Sequence, residues 1–448
     1  MAESKFTVGN GLSLNDVSAL FKIKYEKLSE NVYNSANVLL GRVKKSYNFT
    51  GRKLSITIPQ SFSGGVGSGS LPKANSARYA AAEITAKKVY AVVDIDRETI
   101  KAALSDEGSF VRATKEVVKK GVESWMRNMS RILFSDGSGL LGAADTSVTA
   151  TSGALGVTEL PRLNAAGDGT IVKIASMKEA NFEEKDLVDI TALITSAAGD
   201  ALTPSAEVEV KQVEIIDVLT EEKSIVLEGD RRSLFLNAAS TGAVASKMHM
   251  QGSEDNDPQG LKGSIKAHDP LLSETLYTVP VSRRWSSQVK NAGSDVVSTD
   301  LLNEMMLKIK KKSGKSPNLI ITSYKQYEII LSILEDKKQF NVNTRAGLKS
   351  KSGADISFSG VEFMSIDGAV GIFPERFVED DRIYFLNDSH IEIFHRPDFG
   401  WFDDDGTVFL RKAGHDEYEA RYGGYLEVYV NPCFHGVIHN LALDRPAE

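Results

Sequence analysis

Two stretches that alternate like β-strands are joined by roughly twenty residues with almost nothing of their own to pack on. In "TIPQSFSGGVGSGSLPKANSARYAAAEIT", Thr57 to Thr85, the middle is dominated by Gly, Ser, Ala and Asn. On the near side Leu54, Ile56 and Ile58 alternate with Lys53, Ser55 and Thr57. On the far side residues 83–96, "EITAKKVYAVVDID", are rich in β-branched and aromatic types. The pattern predicts a long hairpin over 44–97, with paired strands of about 12–14 residues projecting ~40 Å. Fixing about twenty tip residues costs roughly 20–40 kcal/mol of backbone entropy. Offsetting that takes on the order of 800–1,600 Å² of buried apolar surface. Phe62, Val66, Leu71 and Tyr79 are the larger apolar groups of the tip. They cannot bury that area against one another, and an isolated hairpin is marginal in water. The area needed is that of a standard protein–protein interface. The finger is therefore predicted either to stay mobile or to become ordered on another subunit. The candidate contact residues are Phe62, Gly64, Gly65, Val66, Gly67, Gly69, Leu71, Lys73, Arg78 and Tyr79.

The rest of the chain bounds the class of protein that owns such a finger. It has 448 residues, 42% hydrophobic and 25% charged, which predicts two or three soluble domains. The formal net charge of -7 argues against a dedicated DNA-binding protein, which would show a basic surplus. The single cysteine, Cys433, leaves no internal disulfide to form. The opening "MAESKFTVGNGLSLNDVS" lacks a basic segment followed by an apolar core, so no signal peptide is expected. No window approaches the length of apolar run that spans a membrane, so no membrane contact is expected and the product reads as cytoplasmic.

Residues 13–42 carry Tyr25, Leu28, Val32 and Leu39 near helical spacing on an otherwise polar background. That predicts a helical arm lying on something else. The clearest helix is 109–134, with Phe110, Val117, Val118, Val122, Trp125, Met129 and Ile132 on one stripe. At about 26 residues it is roughly 39 Å long, more than twice the average, and predicts a structural spine. Residues 143–258 turn Thr-, Ala-, Gly- and Ser-rich and then strand-like in "TIVKIA", "EVEVKQVEIIDV" and "KSIVLEG". This is read as a β-rich insertion. From 296 the pattern is α/β, with a helix ending at Gly314, the buried-type strand "SPNLIITS", and a helix opened by a capping box from Ser323 to Gln326. Nearly all of 361–443 reads as strands.

Motifs that resemble chemistry fail on inspection. "SGKS", Ser313 to Ser316, lacks the phosphate-loop glycine, which is Ile309 here, and it follows a helix instead of opening one. "GGVGSG", Gly64 to Gly69, lacks dinucleotide-binding spacing. "DNDPQG", from Asp255, has Lys266 where a calcium loop needs glutamate, and "DDDG", from Asp403, reads as an acidic turn. Cys433, His435 and His439 are expected on one strand face without a fourth metal ligand. No nucleophile elbow or zinc-protease motif occurs. No catalytic residue, cofactor or metal is expected, and the chain is read as a non-enzyme.

The order of elements resembles the major capsid proteins of tailed bacteriophages, whose fold is shared with encapsulin shells and the herpesvirus capsid floor. The resemblance is carried by the finger, the 109–134 helix, the turn "SDGSGLLG" (Ser135 to Gly142), the return "DPQGLKGSI" (Asp257 to Ile265) and the closing "RYGGYLEVYVNPCFHGVIHNLAL". It implies an α+β phage major-capsid fold. Its parts would be an N-terminal arm (1–43), an E-loop hairpin (44–97), and a peripheral domain with the spine helix (98–142). The β-rich insertion (143–258), a return to the peripheral domain (259–295), an axial α/β domain (296–390) and C-terminal strands (391–448) would follow. It further implies hexamers and pentamers of the chain closing an icosahedral shell around double-stranded DNA held without sequence preference. A portal, a separate scaffolding protein and a decoration protein are the other implied partners, and the implied location is the virion, assembled in the host cytoplasm. Some members cross-link by a Lys–Asn isopeptide bond. Lys53, Lys73, Lys87 and Lys88 lie in the hairpin region and read as plain surface lysines. An encapsulin-like compartment shell and a β-rich tail or adhesin component are the alternative readings.

Overall fold

The computed structural model describes residues 37–46, 49, 53–61, 78–96, 107–145, 161–175, 177–195, 204–235, 245–336, 347–349, 355–357, 361–365, 368–402, 408, 410–411, 414 and 416–444. The architecture is α+β, with few helices and many strands. The long helix, α1, spans Glu107–Phe134. Its stripe residues Val122, Trp125, Met129 and Ile132 are buried, as the helical spacing predicts. They pack on a sheet built from Lys44–Ser46, Ile391–Trp401, Glu417–Val430, Leu410–Arg411 and Lys87–Asp96. Trp125 fixes the helix on this sheet: its indole N–H donates to the carbonyl of Val89 at 3.2 Å. Its ring lies 5.0 Å from Phe399 and 5.4 Å, edge-on, from Tyr422. Such tilted and T-shaped pairs add to plain area burial.

A second layer carries the α/β pattern. Leu319–Thr322 is buried along its whole length in the middle of a six-stranded sheet. It runs parallel to Gly368–Pro374 and antiparallel to Ile383–Leu386. A strand covered on both faces reads as an unbroken apolar run, which is why "LIIT" does not alternate. Helix α2, Thr299–Ser313, is capped by Ser298, whose Oγ accepts from Leu301 N. It ends at Gly314 with φ 75, whose N–H bonds Lys310 O. This left-handed cap accounts for the "SGKS" motif without any phosphate. Helix α3, Tyr324–Asp336, starts as expected from Ser323, which accepts from Gln326 N at 3.2 Å. The Gln326 side chain donates instead to Ala442 O at 2.8 Å, so only half of the capping box forms.

The strands read in 143–258 belong to a seven-stranded sheet drawn from Leu140–Ala143 through Lys247–Met250. Ion pairs join this sheet to the body. Arg127 on α1 is paired with Glu183 and Asp186, and Lys178 lies 3.6 Å from Glu379. Lys262 reaches the same Glu379 carboxylate at 2.8 Å.

The finger differs from the expected 44–97 hairpin at both feet. Lys44–Ser46 already belongs to the sheet under α1, parallel to Ile391–Trp401. Strand Lys53–Ser61 pairs with Arg78–Thr85, from Lys53↔Thr85 to Ser61↔Arg78. The chain then breaks at Ala86, and Lys87–Asp96 joins the sheet under α1, paired with Glu417–Val430. The stretch 83–96 is therefore two strands in two sheets. The paired finger has strands of 9 and 8 residues, or roughly 30 Å. Both halves of 83–96 have strand composition, and composition cannot reveal a change of partner at Ala86.

Candidate assembly surface

The finger is rooted by a small hairpin that no motif announced. Strands Thr275–Leu276 and Val279–Pro280 are joined by Tyr277 and Thr278, with φ 50 and 67. Two successive positive φ values match the handedness of a tight two-residue hairpin, a place usually held by Asn or Gly. The Tyr277 ring accounts for the substitution. Its hydroxyl is buried, donates to Val428 O at 2.9 Å and accepts from Val430 N at 3.1 Å. Ser264 Oγ is 3.0 Å away. Burial pushes this phenol well above the usual tyrosine range, so it stays a neutral hydrogen-bonding post.

The finger rests on that post. Glu83 N donates to Tyr277 O at 3.1 Å. The pairs Leu54↔Ile84, Ile56↔Ala82 and Ile58↔Ala80 turn one face onto Leu276, Tyr277, Val279 and Trp285, with Phe49 and Phe394 beside them. Ala82 and Ile84 are fully buried there. The period-2 alternation read at Leu54, Ile56 and Ile58 is thus the seat of the hairpin. On the opposite face Lys53 pairs with Glu83 at 2.7 Å.

A second anchor lies at the crossing from the finger to the main sheet. Lys87 Nζ donates to the carbonyls of Asp257 (2.6 Å) and Asp255 (3.3 Å). The Asp257 carboxylate meets Arg131 of α1 at 2.8 Å, with both side chains buried. Glu427 beneath them accepts from Gln259 N at 2.6 Å and from Val428 N at 3.3 Å. Burial nevertheless pushes Glu427 up to about 7. The "DNDPQG" turn therefore spends the Asp257 carboxylate on Arg131 and the carbonyls of Asp255 and Asp257 on Lys87. Lys88, on the outward face, sits over the Tyr425 ring.

Of the predicted tip residues, Phe62, Gly64, Gly65, Val66, Gly67, Gly69, Leu71 and Lys73 lie outside the described residues. Arg78 stands opposite Ser61, and Tyr79 stands opposite Pro59 with 60% of its surface exposed. The helical arm read over 13–42 is described only from Asn37, where Asn37 caps the turn Val38–Arg42. The Cys433, His435 and His439 reading is corrected. Cys433 lies in a 3-10 turn, Pro432–Phe434, and its thiol donates to Arg284 O. His435 is buried and accepts from Asn387 N at 3.2 Å. The trio does not share one strand face: Pro432 breaks the ladder, so Cys433 sits in the turn, His435 ends it, and only His439 lies in the strand Gly436–His439. Among the described residues no group of acids, histidines or cysteines is placed to hold a metal. The root residues that sequence reading missed are Tyr277, Trp285, Phe49, Phe394 and Glu427. The one available signal was the alternation of "TLYTVPV", which carries no glycine to mark its turn.

Residues 236–439 match the family model of the SU10 major capsid protein. No curated protein matches the chain. Among solved structures, the chain resembles a subunit of the cyanophage A-1(L) capsid at 9% identity and a TM-score of 0.47, covering 92% of this chain and 93% of that one. It resembles a chain of the satellite phage P4 procapsid at 9% identity and a TM-score of 0.40, over 98% and 94% of the two chains. A chain of the holo-SrpI encapsulin complex from Synechococcus elongatus PCC 7942 also matches, at 9% identity and a TM-score of 0.40, over 92% and 89%.

Proposed function

We infer, from the premise that this chain belongs to the major capsid protein family of tailed bacteriophages, that its finger is the strap by which one subunit of the shell holds the next. The chain is a capsid protein, and many copies of it make up the shell of a virion. The observation that carries the strap reading is the root. A hairpin seated on Tyr277, Trp285 and Phe394, and tied through Lys87 to the turn that grips Arg131, passes a pull on its tip to α1 and the main sheet. Copies would form hexamers and pentamers, with residues 296–390 meeting around their axes and fingers and N-terminal arms lying across neighbours. Many modest contacts then sum through multivalency. The glycines at 64, 65, 67 and 69 would let one sequence fit flat and sharply curved surroundings alike.

In this reading the chain has no reaction of its own. Its interior face need only tolerate double-stranded DNA, which suits a formal net charge of -7. A portal, a separate scaffolding protein and a decoration protein complete the particle, and assembly takes place in the host cytoplasm. The test replaces residues 62–77 by a two-residue turn. Folded subunits that no longer close particles in electron micrographs support the strap; unchanged particles sink it.

A further inference from the structure

Just before the Tyr277 hairpin the chain leaves two adjacent leucines in solvent. Leu271 is 91% exposed and Leu272 58%. Single exposed leucines are ordinary on protein surfaces. These two, however, sit on a braced loop. Lys266 and Glu274 close its feet at 3.6 Å. Ser287 N bonds Lys266 O at 2.7 Å, and Val281 N bonds Glu274 O at 2.8 Å. At the tip the Asp269 carboxylate accepts from Leu271 N at 2.9 Å, and its carbonyl accepts from Leu272 N at 3.2 Å. The result is an apolar knob that loses little conformational freedom when it is covered.

The same chain carries a hole of matching chemistry. Helices α2 and α3 and the edge strand Val361–Ser365 enclose a cleft of about 50 Å³. Leu302, Ile330, Ile333, Val361, Phe363 and Ile372 line it. Charge distinguishes the two patches. Glu362 lies in the cleft wall, and exposed Asp295 and Asp300 flank the wall residues Val297 to Thr299. Beside the knob, the bonds from Val281 and Ser287 to the loop's feet bring in the turn that exposes Arg283 and Arg284.

We propose that Leu271 and Leu272 of one copy seat in the α2–α3 cleft of a second copy of this chain, with Arg283 and Arg284 facing its acidic rim. The proposal rests on the shell-building reading above. Knob and hole are different patches, so the contact is head-to-tail, the kind that closes rings of subunits. Its small area counts because it recurs in every copy of the assembly.

The test mixes two separately purified full-length variants, Leu272→Cys and Ile333→Cys, under assembly conditions with mild oxidant. Native Cys433 is kept in both, and the unaltered chain is the background control. A reductant-sensitive covalent dimer formed by the mixture, and not by either variant or the control alone, is expected. If Ile333→Cys fails to fold, Val361→Cys takes its place. Dimers from Leu272→Cys alone, or particles in which the mixture does not cross-link, overturn the proposal. In parallel the double variant Leu271→Ser with Leu272→Ser keeps the circular dichroism of the parent. It is expected to need a protein concentration at least about tenfold higher to assemble; parental assembly overturns the proposal. If the unaltered chain forms particles while cross-linking fails, only this contact is lost. If the unaltered chain never assembles, the shell reading falls and takes the contact with it.

Discussion

The phenolic oxygen of Tyr277 accepts a hydrogen bond from the backbone nitrogen of Val430 at 3.1 Å, and so joins the hairpin under the finger to the longest strand of the main sheet. The hydroxyl is the only part of this ring that a phenylalanine would lack. Tyr277→Phe keeps the packing on Tyr429, 5.5 Å away between centroids, and leaves Val430 N without this acceptor. The expected cost is about 1–3 kcal/mol. Urea denaturation of the subunit checks it, and an unchanged midpoint would show that the post carries no load.

Arg131 and Asp257 form an ion pair almost wholly removed from water, at 7% and 8% side-chain exposure. Removing one partner of such a pair strands the other. Asp257→Ala is expected to cost about 3–5 kcal/mol, and Arg131→Met together with Asp257→Leu much less than the sum of the single changes. A double-mutant cycle by denaturation decides between this coupling and simple additivity.

Glu427 and Glu375 are expected to contribute a fall in stability as pH rises toward neutrality. Burial raises Glu427 from 4.5 to about 7, against the pull of Gln259 N, Lys87 and Val428 N, while Asp257 adds to the rise. Burial raises Glu375 to about 7 as well. A carboxyl whose folded value lies above its unfolded one keeps its proton in the native state. Its contribution is whole below about 4.5, declines between there and about 7, and is flat above. Glu427→Gln should flatten part of that decline and raise stability at pH 8 relative to the parent. Denaturation midpoints from pH 5 to pH 8 measure it, and parallel curves for the two proteins would refute it.

Gly260 admits no side chain. A Cβ there would lie 2.1 Å from Ile132 O, 2.7 Å from Leu133 O and 2.7 Å from Ser135 O, all backbone atoms at the end of α1. Gly260→Ala is expected to destabilise by more than about 3 kcal/mol, beyond the range of ordinary substitutions. Expression as soluble, cooperatively unfolding protein at parental yield would contradict the packing described.

Arg127 holds the seven-stranded sheet to α1 through Glu183 and Asp186. Burial raises Asp186 and Arg127 opposes that rise, so Arg127→Ala leaves a half-buried acid without its main cation. Hydrogen exchange over 177–195 should quicken by about tenfold or more while that of Leu319–Thr322 stays as it was. Equal acceleration in both would mean that the joint is not a separate unit.

Sequence alone was enough wherever a periodic signal had one structural meaning. The stripe Val122, Trp125, Met129, Ile132 could only be a helix face, because 3.6-residue spacing brings these side chains together and no strand would. Leu54, Ile56 and Ile58 alternated because one face of the finger is seated and the other is wet. Gly314 and Ser323 declared a helix end and a helix start through local backbone chemistry. What the tertiary structure decided was partnership. The break at Ala86, the turn built on Tyr277 and Thr278, the capture of Asp257 by Arg131 and the seating of Glu427 each depend on residues more than a hundred positions apart or on a change of sheet. Local composition is set by the environment a residue meets, apolar or wet, bent or straight. Which distant segment supplies that environment is settled only when the whole chain closes on itself, and so no reading of neighbours along the sequence could have supplied it.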